Sequence, residues 1–413
     1  MNPYNPGMTT PHNLTAVWNR CHAHLQPDPA ALPLAPPEHC TCPLCDSPRA
    51  FAITAHVRYG EAHWDHDAHP LYCPDCRQYS LTAAPDMPPV TAVNARLWSA
   101  SPTFLNIEPT TRCNFSCWYC VGRHMRQQDI RPEDFDAMLD HFPTVETIAL
   151  VGEGEPLLHK DFFPMAHRAK DRGIRVVIIS NGSAFSQSVI RKLCEAQIAY
   201  IGISIDSIDP ATFARSRIDG DLNKVWKGIE RLRAYRDRHG FRYPKIGLKG
   251  TLFSYSQDDL LSIVAEAKRH GVEIFESFQA LNPMRTYVPI YPEEGQREIA
   301  HIDAVAQAIA HDSAQAVALL PPISDFCAEE GIPLNDNLPA NGLRQHCNEK
   351  WLYSLLSGDV TPCCQIKTPI DPGWNLFHHS VEEILTHPRY ENTRFNLWNG
   401  LFPQYCAGCW KTR

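Results

Sequence analysis

Phe104-Leu-Asn-Ile-Glu-Pro-Thr-Thr-Arg-Cys113-Asn-Phe-Ser-Cys117-Trp-Tyr-Cys120 decides how the rest of the chain is read. The stretch opens with a short apolar run of strand type, and three cysteines follow at once. Working outward from it, five more strand-like runs lie at 147–151, 175–180, 199–205, 245–252 and 273–278. Helical patterns separate them, at about 132–142, 161–172, 186–196, 222–239 and 257–270. Regular alternation of this kind predicts a parallel sheet with crossover helices, an α/β fold. Ligands in such sheets bind at the carboxyl ends of the strands. Cys113, Cys117 and Cys120 stand at that end of the first strand. Three thiolates on a four-iron cubane leave one iron free to bind a small molecule, which a closed four-cysteine set would not.

Composition narrows the alternatives. At 413 residues the chain is long enough for two or three domains, so a disulfide-stapled miniprotein is excluded. A net charge of −8 argues against a general nucleic-acid or anionic-membrane surface. No apolar window is long enough to span a bilayer, and the first residues lack an export pattern, which predicts a cytoplasmic protein. A reducing compartment has little use for disulfides, so the 16 cysteines, mostly in groups, point to metal.

The C-x3-C-x2-C spacing after the first of six strands resembles the radical S-adenosylmethionine superfamily, over about residues 102 to 280. That resemblance implies a partial (β/α)6 TIM-type barrel. It also implies an open iron chelating S-adenosylmethionine, whose reductive cleavage yields a 5′-deoxyadenosyl radical that takes a hydrogen atom from substrate. Tyr119 stands at the family's aromatic position, suited to packing against adenine. Gly152-Glu-Gly-Glu-Pro156 resembles the family's GGEP motif, with Glu153 in place of the usual first glycine. By the same likeness Gly152, Gly154 and Pro156 shape the turn, and Glu155 accepts from the cofactor's ammonium. Ser180 and Asn181 after the third strand, and Ser204 and Asp206 after the fourth, would reach its ribose or carboxylate, and Phe275 would lend backbone groups to adenine. Any one Ser or Asp at a strand end, taken alone, is more often a helix cap.

Two further cysteine groups flank this region. Cys347, Cys363, Cys406 and Cys409 resemble a twitch domain, the half-size SPASM form, which implies a second, fully ligated [4Fe–4S] cluster suited to electron transfer. Zinc is the other occupant of such a set. Cys42-Pro-Leu-Cys45 and Cys73-Pro-Asp-Cys76, 27 residues apart, resemble a zinc ribbon and would hold zinc or iron.

The organisation expected is a proline-rich arm (1–38), a zinc-ribbon-like region (39–90), the barrel (100–282), a helical connection (283–345) and a small α+β twitch/SPASM-like cluster domain (346–413). A helix is predicted over about 293–319 and a hairpin turning at Ser357-Gly358. The implied activity is a radical oxidoreductase, with the second cluster taking the substrate's second electron, acting on a small polar metabolite. Peptide maturation or epimerisation are the alternatives within the class, and a non-catalytic iron or redox sensor the alternative outside it. Cys327 is the candidate hydrogen donor for an epimerase, against an inert buried thiol. A flavodoxin or ferredoxin is the expected electron donor.

Overall fold

The computed structural model describes residues 26–27, 39–42, 45–48, 50–52, 57–58, 68–73, 78–83, 102–283, 287–333, 351–361, 363–367, 369–387 and 390. The six expected strands are present as β1 (Phe104–Ile107), β2 (Thr147–Leu150), β3 (Arg175–Ser180), β4 (Tyr200–Ser204), β5 (Lys245–Leu252) and β6 (Ile274–Ala280). They pair in parallel in chain order, Leu105 against Ile148, Ile148 against Val176, and so on to β6. The crossovers carry α1 (Pro132–Asp140), α2 (Phe162–Asp171), α3 (Gln187–Glu195), α4 (Pro210–Ser216), α5 (Leu222–Arg238) and α6 (Leu260–His270). This is the parallel α/β sheet that the alternation predicts, in the partial-barrel form that the resemblance implies.

Strand periodicity sorts side chains into two sets. Leu105, Ile107, Ile148, Ile178, Ile201 and Ile203 face the helices and are fully buried among Phe162, Leu193, Ile229 and Ile263. Phe104, Ala149, Val177, Ile179 and Tyr200 face the other way, into the lumen. Local signals set the helix limits: the Ser186 hydroxyl accepts from the Val189 amide at the start of α3, and Gly271, at φ 101°, ends α6.

The region with no expected role closes the barrel. Its long helix is divided into α7 (Glu293–Glu298) and α8 (Ile302–Ala316) by a 3₁₀ turn, and α8 lies against α6 and β6. A further helix, α9 (Ile323–Glu330), places Phe326 and Cys327 against Phe104, Ala199, Tyr200 and Ile274, which all lie at strand starts. Glu330 accepts from the Tyr243 hydroxyl and Arg242, at 2.6 Å each. Helix α9 thus plugs the amino-terminal mouth of the barrel.

The expected hairpin is present as β7 (Leu352–Ser354) and β8 (Val360–Thr361), with Gly358 at φ 81°. It is not set apart from the barrel: β7 pairs in parallel with β1, Leu352 against Leu105, which extends the sheet to eight strands. A capping box between Ser380 and Glu383 opens α10 (Val381–Thr386). Strands at 39–40, 50–52, 68–73 and 78–83 form a separate antiparallel sheet. No helix among the described residues is long and apolar enough to cross a membrane.

Candidate cofactor site

Beyond β1 the chain passes Glu108 and two threonines that fasten the base of the cysteine loop. Thr110 donates to Asp129 at 2.6 Å and Thr111 to the Arg126 carbonyl at 2.7 Å. The loop from Cys113 to Cys120 is irregular, anchored by buried Phe115 edge-on to Phe213 and by the Ser116 amide on the Ile218 carbonyl. The turn after β2 packs beneath it at backbone distance. A Cβ on Gly152 would stand 2.3 Å from the Glu108 side chain, and one on Gly154 would stand 2.4 Å from the Thr110 carbonyl oxygen. Glycine is required at both positions because the two loops touch.

Between them opens a cavity of about 210 Å³. Cys113, Cys117 and Cys120 line it, with Tyr119, Gly152, Gly154, Glu155, Ser180, Asn181 and Ser204 from the expected set. Glu155 is buried and accepts from the Asn181 amide at 2.7 Å, the Ser180 hydroxyl at 2.9 Å and the Leu157 amide at 3.2 Å. Burial outweighs these bonds and pushes its carboxyl up to about 7. Burial also pushes the Cys117 thiol up to about 11 and Cys120 to about 12, and raises Cys113.

The cysteines suit a cluster better than a lone ion. Among the described residues no three His, Cys, Asp or Glu side chains converge closely enough to hold one metal ion. Thiols spread around a shared cavity fit a cluster, where each thiolate takes its own iron. The Phe115 amide, 3.4 Å from the Cys113 sulfur, and the Asn181 amide group, 3.7 Å from it, are donors suited to a thiolate.

Three members of the expected set stand back from the cavity. Asp206 is buried behind it, where its carboxylate takes Arg217 in two contacts of 2.8 Å, the Tyr119 hydroxyl at 3.0 Å and the Thr251 amide at 2.9 Å. Through these bonds it fixes groups that do line the cavity. Pro156 begins a buried 3₁₀ turn. The Phe275 amide donates to the Pro321 carbonyl and its ring stacks on Phe278, so those groups are engaged within the core. Cys327, the candidate hydrogen donor, is not brought to the loop: it is buried at the opposite mouth of the barrel.

Sequence reasoning missed Arg217, Lys249, Thr251 and Gln279, which also line the cavity. Lys249 and Thr251 alternate on β5, so a period-two reading of that strand from Gly247 could have found them. Arg217 follows α4, a helix absent from the expected series, and carried no signal.

Of the flanking cysteines, Cys363 lies just past β8, half-buried against the core. Cys347, Cys406 and Cys409 lie outside the described residues, as does Cys76. Cys42 is buried and Cys45 exposed in a tight turn, where the Cys42 amide donates to the Ser47 carbonyl and Asp46 takes φ 57°. Cys73 ends the strand at 68–73.

Residues 107–247 match the radical SAM superfamily. A tungsten-containing aldehyde ferredoxin oxidoreductase cofactor-modifying protein of Pyrococcus furiosus is 23% identical over 74% of the chain and 86% of its own length. A GTP 3′,8-cyclase of Pseudomonas entomophila is 33% identical over 41% of the chain, which spans 52% of that enzyme. Among solved structures, SuiB of Streptococcus suis bound to S-adenosylmethionine superposes at a TM-score of 0.54, with 14% identity, over 74% of this chain and 71% of that one.

Proposed function

We propose that the chain is a radical S-adenosylmethionine oxidoreductase acting on a small polar molecule. The observation that carries this is the convergence of three cysteines, the Gly152–Pro156 turn and the Glu155–Ser180–Asn181 network on one cavity at the carboxyl ends of the strands. Cys113, Cys117 and Cys120 would hold a [4Fe–4S] cluster, and this cluster with S-adenosylmethionine supplies reductive sulfonium cleavage and a carbon radical able to take a hydrogen atom.

The protein's part is placement. Glu155 offers a carboxylate for the cofactor's ammonium, with its two oxygens oriented by Ser180 and by the Asn181 amide. Arg217, held by Asp206, offers a fixed cation at the cavity wall for a carboxylate. Tyr119 is tied to the same aspartate and flanked by Trp118 and Phe253, which keeps water from that side of the loop. The polar wall formed by Ser204, Lys249, Thr251 and Gln279 supports a small hydrophilic substrate. Two relatives named for work on a cofactor and on GTP support the same class. A solved structure of SuiB with its precursor peptide makes peptide maturation the second reading.

In this reading Cys347, Cys363, Cys406 and Cys409 hold a second cluster that supplies an acceptor for the substrate's second electron, and a flavodoxin or ferredoxin reduces the first. Cys42, Cys45, Cys73 and Cys76 hold zinc or iron. Its support is strand register: Cys40 pairs with Ala50, Phe51 with Tyr72 and Cys73 with Gln78, so Cys40, two residues before Cys42, and Cys73 lie at the same end of the antiparallel sheet.

The test is anaerobic reconstitution followed by dithionite and S-adenosylmethionine. The parent chain should release 5′-deoxyadenosine, and Cys113→Ala/Cys117→Ala/Cys120→Ala should release none while keeping the parent's circular dichroism. Cleavage by the triple variant would sink the assignment.

A further inference from the structure

Glu153 occupies a position where the radical S-adenosylmethionine motif usually has glycine, and the structure supplies its mate. Lys367, shortly past β8, reaches over the turn after β2 with its ammonium 2.9 Å from Glu153 Oε1 and 3.3 Å from Glu108 Oε1. It also lies 3.3 Å from the Tyr353 hydroxyl and over the Tyr353 ring. The lysine side chain is 13% exposed and Glu108 only 1%. The other Glu153 oxygen, Oε2, lies 3.5 Å from the Cys120 sulfur. One carboxylate therefore links a cation on the C-terminal segment to a sulfur of the cysteine loop. Room for it is built in, since a Cβ on Gly122 would stand 2.5 Å from the Glu153 Cβ.

We propose that Lys367 is a positioning residue that does two things through Glu153. It registers the C-terminal hairpin on the cysteine loop, and it balances Glu108 and Glu153, of which Glu153 reaches Cys120, so that a cluster there can accept an electron. The second half rests on the reading of Cys113, Cys117 and Cys120 as cluster ligands. With Lys367 in place, Glu108, Glu153 and the lysine sum to one negative charge. Without the lysine they sum to two, and with Glu153 neutral and the lysine kept they sum to zero. Added negative charge opposes reduction at close range in a site shielded from water. The two partners should therefore act with opposite sign, whereas a pair that only holds the fold together would act with the same sign from either side.

The experiment uses the full chain, reconstituted anaerobically and titrated potentiometrically by electron paramagnetic resonance. The signal followed is the one that disappears in the triple cysteine variant. Lys367→Met should lower the midpoint potential, so that the reduced fraction at a fixed potential falls on the order of tenfold. Glu153→Gln should raise it, Lys367→Arg should stay near the parent, and Lys367→Met/Glu153→Gln, again with one negative charge, should return toward the parent. Shifts of the same sign in both single variants, or none, would overturn the electrostatic half. Hydrogen exchange on the cluster-free chain tests the registration half: Lys367→Met should speed amide exchange at 351–361, and unchanged exchange would overturn it. A parent that assembles no cluster on the loop would defeat the functional reading, and the exchange result would still decide the registration.

Discussion

Glu155 shows how much one buried group can carry. Its carboxyl is raised from the usual 4.5 to about 7, because burial outweighs three donated hydrogen bonds. Below pH 4.5 the folded and unfolded chains both hold this proton. Between 4.5 and about 7 only the folded chain holds it, so the group's contribution to stability falls as pH rises through that window and levels off above it. Glu155→Gln should remove this slope, up to about 1.4 kcal/mol per pH unit at its steepest. Urea denaturation of the cluster-free parent and variant at several pH values checks it, and a pH-independent difference between them would contradict the burial argument. At this scale the site was legible where chemistry sits in a short motif. Cys113, Cys117, Cys120, Gly152, Gly154 and Glu155 all line the cavity. It was illegible where residues converge only through folding: Arg217 and Gln279 come from different elements, and nothing around either one marks them. Asp206 was found for a contact it does not make at the cavity surface, since a strand-end carboxylate looks the same whether it meets a ligand or an arginine.

At the scale of elements, the loop contacts leave no room for added volume at Gly122. A methyl group there would meet both the Cβ and the carbonyl oxygen of Glu153 at 2.5 Å, and backbone cannot swing aside as a side chain can. Gly122→Ala should therefore cost about 1–3 kcal/mol and part the cysteine loop from the turn after β2. Chemical denaturation measures the first effect and iron content per chain the second, and full iron retention at parent stability would refute the close packing. The barrel's strands were legible because period-two patterns and the intervening amphipathic helices agree. Helix α9 was not, because eight residues with two buried apolar side chains form too short a pattern. The hairpin β7–β8 was legible as a hairpin, but its neighbour was not. Pairing with β1 is settled by a contact between distant parts of the chain, to which local sequence is blind.

For the whole molecule, the proposed occupancy makes a count. Clusters on Cys113/Cys117/Cys120 and on Cys347/Cys363/Cys406/Cys409 predict about eight irons and eight sulfides per chain, with one zinc or one further iron at the N-terminal cysteines. Iron, sulfide and zinc analysis of the anaerobically reconstituted chain checks this. A count near four that removal of the four C-terminal cysteines leaves unchanged would exclude the second cluster.

The pairing of β7 with β1 also fixes an order of manufacture. Ribosomes add roughly 5–20 residues per second, so β1 leaves the exit tunnel on the order of tens of seconds before Leu352 can lie beside Leu105. During that interval one edge of the first strand has no neighbour and is a template for unwanted pairing. Lys367 follows later still, so the cysteine loop is laid down without its lysine counter-charge and without the hairpin beside it.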